Sequence, residues 1–265
     1  MRLERVGDQF GVKVASVQPV HGGDLSEVAR VELENGRIMA VKRGPVVDVE
    51  ARMLKAMALA GAPVPEVLHQ VDDLLCLEWL EDIGPSEEGW RKLGEGLRGL
   101  HGTGGADYGW PEDYAFGPLP LRNSPRDDWC EFWAEARLRP FLPDLPADLA
   151  SRVERLADTL TERLPAQPEA ALLHGDLWTG NALFGRAKAW MIDPACYHGH
   201  AEVDLAMLEL FGNPPAAFWQ SYGETDPQRE DRRPVYQLFP ALVHLRLFGD
   251  GYRGMVTRML DAAGV

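Results

Sequence analysis

Apolar and polar residues alternate along much of the first 43 residues, which is the pattern of strands with one buried face. Three stretches show it, at residues 12–17, 28–33 and 38–42. A glycine-bearing loop at 21–26 separates the first two, and a short Glu-Asn-Gly-Arg turn separates the second from the third. We therefore predict that the chain begins with an antiparallel sheet whose strands are joined as hairpins.

The periodicity then changes from strand to helix. Residues 47–59 carry apolar side chains at helical spacing, and 64–68 and 74–80 read as two more strands. Later segments are mainly helical, at 86–101, 127–140, 150–164, 202–211 and within 218–260. Residues 102–126 are rich in Gly, Pro, Asp and Asn and predict a long loop. The predicted fold class is α+β, with a five-stranded antiparallel sheet plus one helix at 1–80 and a mainly helical part at 81–265.

The candidate chemistry is concentrated between residues 172 and 193. An apolar pair leads into His-Gly-Asp-Leu-Trp-Thr-Gly-Asn at 174–181, and a short apolar run ends at Asp193. Phosphoryl transfer needs a carboxylate that orients the attacking hydroxyl and accepts its proton, and oxygen ligands that hold Mg²⁺ against nucleotide phosphates. The separation of Asp176 from Asn181 is that of a protein-kinase catalytic loop. We assign Asp176 as the base and Asn181 and Asp193 as Mg²⁺ ligands.

Each of these residues has an ordinary structural explanation when taken alone. A Gly-Asp pair is usually a turn, and an Asp at the end of a strand is usually a helix cap. The functional interpretation depends on their occurring together and in this order. Two neighbours are assigned structural roles by analogy with kinase-like folds: His174 packs and bonds the backbone, and Asp204 caps the following helix and braces the catalytic loop.

Lys42 ends the third strand in the string Met-Ala-Val-Lys, which resembles the Val-Ala-Ile-Lys strand whose lysine holds the α- and β-phosphates of ATP. Glu50, early on the helix at 47–59, is its predicted partner. Gly22 and Gly23 would let backbone N–H groups approach the phosphates. A lone strand-end lysine is usually just exposed, and a short glycine loop is usually a plain turn. The order strand, lysine, helix, glutamate is what favours the nucleotide site.

Two longer strings resemble the fructosamine kinase (ketosamine-3-kinase) family, which is related to the aminoglycoside phosphotransferases. His-Gly-Asp-Leu-Trp-x-Gly-Asn at 174–181 is narrower than the His-Gly-Asp-x-x-x-x-Asn of the wider group. Residues 193–206 resemble the family's Asp-Pro-Ala-x-Tyr-x-Gly-x-x-Glu-x-Asp-Leu-Ala. The resemblance runs from roughly residue 20 to residue 253. It implies a bilobal protein-kinase-like fold, with a small nucleotide-binding lobe at 1–80, a large lobe at 81–265 that carries the catalytic loop and the acceptor-binding region, and ATP in the cleft between them.

The last strand of the small lobe is expected to lead into the hinge between the lobes. By analogy with kinases, the Glu78 carbonyl and the Leu80 N–H contact adenine, with Trp79 between them. Because backbone groups make these contacts, the side chains matter little. We assign all three residues to the ATP site.

Two residues are assigned to the acceptor, Trp178 in the catalytic string and His244 near the end of the chain. Around His244 the family segment usually reads Asn-His-x-Asn, whereas Val243 and Arg246 stand here in place of the two asparagines. If those asparagines shape the sugar pocket, the acceptor of this protein differs from the family norm.

Composition limits the binding partners and the cellular compartment that we expect. The formal net charge of −14 argues against nucleic acid, because phosphate binding favours a basic face. It suits cationic small molecules, although an acidic surface that serves only solubility explains it equally. The sequence shows neither a run of about 18 apolar residues nor a signal peptide, so we expect a cytoplasmic protein without a membrane span. The three cysteines, Cys76, Cys130 and Cys196, form no metal or disulfide framework.

The sequence therefore predicts an ATP-dependent kinase that acts on a hydroxyl of a small amine-bearing acceptor. The family resemblance makes this the sugar 3-hydroxyl of a ketosamine (a fructosamine or ribulosamine), in the deglycation of proteins or amino acids. One alternative is a phosphotransferase for aminoglycosides or other amino sugars. A distant one is a nucleotide-binding pseudokinase scaffold, which the presence of base, lysine and both metal ligands disfavours. The oligomeric state stays open.

Overall fold

Five antiparallel strands near the start of the chain form one sheet, in the order β1-β2-β3-β5-β4. The computed structural model describes residues 4–20 and 27–265. The strands are β1 Val14–Val20, β2 Glu27–Leu33, β3 Ile38–Arg43, β4 Val67–Val71 and β5 Leu74–Glu78. The alternation predicted in the second strand is confirmed, since Ala29, Val31 and Leu33 are buried. Gly22 and Gly23 lie outside the described residues.

Two helices accompany this sheet. Helix α2, Val47–Leu59, has the predicted bounds and buries Met53, Leu54 and Met57. Helix α1, Glu4–Phe10, was not predicted, and our description of the first 43 residues as strands alone was wrong. It has only two turns, so the buried Val6 and the half-buried Phe10 are too few to show a helical period.

The rest of the chain is mainly helical, as predicted. Its α-helices are α3 Glu87–His101, α4 Trp129–Trp133, α5 Ala147–Asp158, α6 Glu202–Leu210, α7 Ala216–Tyr222, α8 Arg229–Phe248 and α9 Arg253–Ala262. Three two-stranded ribbons lie between them, β6 Tyr114–Phe116 with β7 Leu119–Leu121, β8 Ala171–Leu173 with β11 Tyr197–Gly199, and β9 Ala182–Phe184 with β10 Ala189–Met191. The division into lobes at residue 80 stays a prediction. None of the described helices is long and apolar enough to cross a membrane.

Several predicted segments differ in detail. Strands β1 and β4 begin at Val14 and Val67, two and three residues later than predicted, and the helix predicted at 150–164 is α5 followed by a 3₁₀ turn at Leu160–Glu162. The loop predicted at 102–126 contains the hairpin β6–β7, whose three-residue strands are too short for alternation to reveal them. The helix predicted at 127–140 is α only in α4, then becomes a π-helix at Ala134–Leu138 and a 3₁₀-helix at Arg139–Asp144. Pro140 has no N–H to donate to an α-helical carbonyl, which accounts for the change at that point.

The π-helix carries Arg137, a buried cation that anchors the hairpin β6–β7. Its guanidinium donates to the Arg122 carbonyl and to Asn123 Oδ1, each at 2.7 Å. Asn123 in turn donates from Nδ2 to the Glu112 carbonyl and from its backbone N–H to Asp113 Oδ1. Both ends of the hairpin are therefore fixed to the helical part of the chain.

A pH-dependent stability prediction arises at His200, whose Nδ1 lies 2.7 Å from the hydroxyl of Tyr236. Burial lowers the pKa of His200 to about 4, from an ordinary value of about 6.5. Between these pH values the unfolded chain binds a proton that the folded chain does not, so the free energy of unfolding decreases as the pH falls through this window. At the acid end of this pH window, His200 lowers the free energy of unfolding by about 3 kcal/mol.

We expect His200→Gln to reduce this pH dependence. The measurement is urea unfolding of both proteins at intervals from pH 7 to pH 4. His69→Gln, on the outer strand β4, serves as the matched histidine control. An unchanged pH slope in the His200 variant would contradict the prediction.

Candidate active site

One cavity of about 400 Å³ contains all five side chains assigned to the core of the phosphotransfer chemistry. Lys42 and Glu50 reach it from β3 and α2, and Asp176, Asn181 and Asp193 reach it from the helical part of the chain. We call this space the cleft cavity. Lys42 and Asp193, which are 151 positions apart in sequence, are brought together there, with Lys42 Nζ 3.1 Å from Asp193 Oδ1.

The catalytic loop leaves β8 through a turn that only glycine fits. Gly175 has a φ of 81°, and a Cβ at this position would lie 2.1 Å from the Ala195 carbonyl oxygen. The two carboxylate oxygens of Asp204 accept from the backbone N–H groups of His174 (2.7 Å) and Gly175 (2.8 Å). A single carboxylate thus holds the start of the loop, directly before Asp176.

His174 connects the catalytic loop to the strand that precedes Asp193. Its Nδ1 accepts from the Asp176 N–H at 3.2 Å, and its Nε2 lies 2.9 Å from the Ile192 carbonyl. Since a carbonyl only accepts, Nε2 carries the proton. Burial lowers the pKa of His174, which keeps the ring neutral. Its contacts are the backbone contacts that we expected of a structural histidine.

Asp204 braces the loop as predicted, but the prediction that it caps α6 was wrong. Ala201 occupies the capping position and makes no side-chain cap bond, while Asp204 lies within the first helical turn and directs its carboxylate to the loop. His101 Nε2 lies 3.0 Å from the same carboxylate, and His101 Nδ1 lies 2.8 Å from the Tyr222 hydroxyl. Burial alone would raise the pKa of Asp204, but the hydrogen bond from His101 and its charge lower it.

This role of His101 was missed. We had treated it as an ordinary residue at the end of a helix, and its side chain is buried. Because α3 ends far from the catalytic loop in sequence, no local pattern shows that His101 supports the loop.

Asp176 and Asn181 are paired. Asn181 Nδ2 donates to the backbone carbonyl of Asp176 at 2.8 Å and to its Oδ2 at 3.1 Å. Both amide protons are thereby used, so Asn181 Oδ1 remains available as a ligand. Burial, followed by the negative charge of Asp193, raises the pKa of Asp176 well above its usual range. A higher pKa makes the Asp176 carboxylate a better proton acceptor.

Asp193 has an uncommon backbone conformation, with a φ of 55° in a residue other than glycine. Such conformations cost energy and are concentrated at functional sites. Lys42 bridges Asp193 and Glu50, at 3.1 Å and 2.7 Å respectively. Burial alone would lower the pKa of Lys42, but the charges of Glu50 and Asp193 raise it, so Lys42 stays protonated.

The oxygen ligands offered by Asn181 and Asp193 suit a metal ion that is bound by protein and nucleotide together, rather than one that is bound by protein alone. Among residues 4–20 and 27–265, no group of three or more His, Cys, Asp and Glu side chains is arranged to hold a metal. One carboxylate from Asp193 and one amide oxygen from Asn181 face the same cavity. Mg²⁺ is commonly bound by one or two protein carboxylates together with phosphates and water, so this set fits it.

The cleft cavity has an aromatic wall, formed by Trp178, Phe211, His244, Phe248 and Tyr252. The ring of His244 is its centre, with ring centroids 4.8 Å from Phe211, 5.4 Å from Phe248 and 5.0 Å from Tyr252. His244 Nδ1 lies 2.8 Å from the Pro240 carbonyl and so carries the proton, which leaves Nε2 as an acceptor. The structure thus places both residues that we assigned to the acceptor on this wall.

The two residues that replace the asparagines of the family pattern lie in different surroundings. Val243 lines the cleft cavity, whereas Arg246 is exposed and donates to Asp144 at 2.9 Å. The replacement that bears on the cavity is therefore Val243, which contributes an apolar surface where the family pattern has an amide.

The predicted hinge lies outside the cleft cavity. Strand β5 ends at Glu78 rather than at Leu80, and Glu78, Trp79 and Leu80 do not line the cleft cavity. The linker that follows is tied to β9, since Asp82 Oδ1 accepts from the Phe184 N–H and the Phe184 carbonyl accepts from the Ile83 N–H. The adenine contacts of these residues stay a prediction.

The hairpin β6–β7 borders the candidate site, although the sequence did not predict this. Tyr114 and Phe116 both line the cleft cavity, and Tyr114 is nearly buried there. No local signal marked them, because they lie in the segment that we predicted to be a loop.

The fructosamine kinase family model matches residues 4–263 of the chain. A Synechocystis protein named as a probable ketoamine kinase is 41% identical over 233 residues, covering 80% of this chain and 77% of its own. A Thermobifida fusca crystal structure, provisionally assigned as a fructosamine-3-kinase, superposes with a TM-score of 0.90 at 34% identity and covers 98% of this chain and 96% of that one.

A more distant structure, a thermostable mutant of an aminoglycoside phosphotransferase, has a TM-score of 0.68 at 17% identity and covers 99% of this chain and all of that one (100%). At this identity it shows the shared fold only. The chain belongs to the fructosamine kinase family. It is therefore a kinase, and phosphorylation of ketosamines is the activity that its family and relatives support.

Proposed function

We propose that the protein transfers the γ-phosphoryl group of Mg·ATP to the sugar 3-hydroxyl of a ketosamine. The observation that carries this proposal is the convergence of Asp176, Asn181, Asp193 and Lys42 in one cavity that also has an aromatic wall. Asp176 orients the attacking hydroxyl and accepts its proton. Lys42 binds phosphate oxygens, and Glu50 holds Lys42 in position.

Asn181 Oδ1 and the Asp193 carboxylate would hold Mg²⁺, which neutralises charge on the transferring phosphate. In the structure described here, Lys42 is within reach of Asp193 and Glu50 at once. Phosphate oxygens placed beside Lys42 therefore lie next to the carboxylate that binds the metal. Glu78, Trp79 and Leu80 would hold adenine at the hinge, and Gly22 and Gly23 would approach the phosphates.

The aromatic wall supports an amine-bearing acceptor. Lys42 is the only Lys or Arg among the described residues that line the cavity, against the carboxylates of Glu50, Asp176 and Asp193. A protonated amine is stabilised both by such carboxylates and by aromatic faces. His244 Nε2 can accept a hydrogen bond from the ammonium or from a sugar hydroxyl. Trp178, with 38% of its surface exposed, is accessible to the substituent on that amine.

The competing assignment is phosphorylation of an aminoglycoside or another amino sugar. It shares the catalytic residues, and only the distant likeness in fold supports it.

The proposed location is the cytoplasm, where ATP is available and thiols stay reduced. Cys76, Cys130 and Cys196 are all buried and free.

An acceptor panel tests the proposal. We expect kcat/KM for an N-fructosyl or N-ribulosyl amine to exceed that for an aminoglycoside by at least about tenfold, which corresponds to about 1.4 kcal/mol of differential transition-state binding. The assay is coupled ADP release with saturating Mg·ATP. Fructose without an amine substituent is the matched control for the ammonium contact. Faster turnover of the aminoglycoside would support the competing assignment.

A further inference from the structure

Tyr114 is a polar residue of the cleft cavity to which the proposed reaction gives no task. It lies on β6, is 9% exposed, and lines the cavity together with Lys42, Asp176 and Asp193. Within the part of the chain that the structure describes, its hydroxyl makes no hydrogen bond. Tyr108, also nearly buried, shows the usual arrangement, since its hydroxyl donates to the Pro168 carbonyl at 2.7 Å. Because Tyr114 lines the cavity, its hydroxyl can bind a group that enters there.

The position of Tyr114 is set by the rest of the hairpin. Arg137 and Asn123 anchor the two ends of β6–β7, as described above. The ring of Tyr114 packs edge-on against Phe116 with centroids 6.2 Å apart. A hydroxyl held by such a support is oriented before a ligand arrives, which is the condition for selective binding.

The hairpin lies on the acceptor side of the cavity. Phe116, two residues after Tyr114, lines the cleft cavity and also a smaller adjoining cavity, and both are bordered by Val243, His244 and Met207. None of the three hinge residues, Glu78 to Leu80, borders either cavity. The hairpin therefore borders both the catalytic residues and the aromatic wall, and Tyr114 lines the same cavity as Asp176 and His244.

Burial, and then the negative charge of Glu50, raise the pKa of the Tyr114 hydroxyl. The group remains a neutral phenol, able to donate one hydrogen bond and to accept another. Sugar hydroxyls have the same dual character, whereas phosphate oxygens offer only acceptors. The chemistry of Tyr114 thus matches a hydroxylated acceptor.

We propose that Tyr114 binds a non-reacting hydroxyl of the acceptor sugar and thereby aligns the reacting hydroxyl with Asp176. This inference rests on the proposed function, and it adds a specificity-determining residue on the hairpin β6–β7. A sugar that lacks the contacted hydroxyl leaves Tyr114 without a partner and is rejected for that reason.

The first test is Tyr114→Phe, which removes the hydroxyl and keeps the ring. We expect kcat/KM for the ketosamine to fall about tenfold, the loss that corresponds to one neutral hydrogen bond. The KM for ATP should change less than twofold. Tyr108→Phe, which loses a hydroxyl outside the cavity, is the matched control and should keep kcat/KM near that of the wild type.

The second test combines this variant with acceptors that each lack one non-reacting hydroxyl, at C4, C5 or C6. If Tyr114 binds one of these groups, the Phe substitution costs about tenfold with the parent sugar and close to nothing with the matching deoxy sugar. An equal loss with the parent and with every deoxy sugar overturns the Tyr114 contact and leaves the proposed function intact. A wild-type protein that turns over no ketosamine overturns both.

Discussion

Asp176→Asn is expected to lower kcat for ketosamine phosphorylation by about 10²–10⁴-fold, the usual contribution of a positioned general base. An asparagine keeps the shape of the side chain but cannot accept the proton of the attacking hydroxyl. The affinity for Mg·ATP should be nearly unchanged, because Asp176 is not assigned to the phosphates. The measurement is kcat by ADP release together with a calorimetric titration of Mg·ATP.

Asp148→Asn is the matched control for this variant. Asp148 is an exposed aspartate on α5, where it accepts from Arg253 at 2.8 Å. We expect wild-type turnover from the control. Loss of nucleotide binding with retained turnover in the Asp176 variant would overturn the assignment of the base. Wild-type ADP release without phosphorylation of any acceptor would point to a protein that hydrolyses or only binds ATP.

Asp193→Asn is expected to lower kcat/KM for Mg·ATP by about 10³-fold, near the upper end of what one electrostatic group contributes. The substitution removes a negative charge that the metal needs. It also removes one of the two partners of Lys42, but Glu50 remains 2.7 Å from the amine, so the fold should persist. A Mg²⁺ titration at constant ATP measures the effect, and the half-saturating concentration should rise.

Binding experiments should therefore distinguish the role of Asp176 from that of Asp193. Asp193→Asn weakens Mg·ATP binding, whereas Asp176→Asn leaves it nearly intact. Circular dichroism and thermal unfolding of each variant control for loss of structure. An Asp193 variant with the wild-type Mg²⁺ dependence would contradict its assignment as a metal ligand.

The parts of the fold that could be predicted are those whose pattern is local and long enough to read. Strand β2 alternates over seven residues, and α2 shows nearly four turns of helical spacing, so both were recognised. The helix α1 and the ribbon β6–β7 are too short to display a period. The π-helix at Ala134–Leu138 carries the buried Arg137, and tertiary contacts of that kind leave no trace in local periodicity.

The residues of the candidate site also fall into those that the sequence could predict and those that it could not. Asp176, Asn181 and Asp193 were found because phosphoryl transfer restricts their identity and spacing, and the structure brings them together with Lys42 and Glu50. His101 and Tyr114 act across long sequence separations and have no motif. Whether Val243 or Arg246 borders the cavity could not be read from a helical pattern, because the direction of the Arg246 side chain depends on its contact with Asp144.

The most direct measurement of the central claim is the product formed from Mg·ATP and N-fructosyl-lysine. We predict a monophosphate that carries the phosphoryl group on the sugar 3-oxygen. Mass spectrometry and ³¹P–¹H coupling in NMR spectra identify it. The Asp176→Asn protein should not form it. A phosphate on another oxygen would refute the 3-hydroxyl assignment. Failure of the wild-type protein to form any phosphorylated acceptor, despite binding Mg·ATP, would contradict the account as a whole.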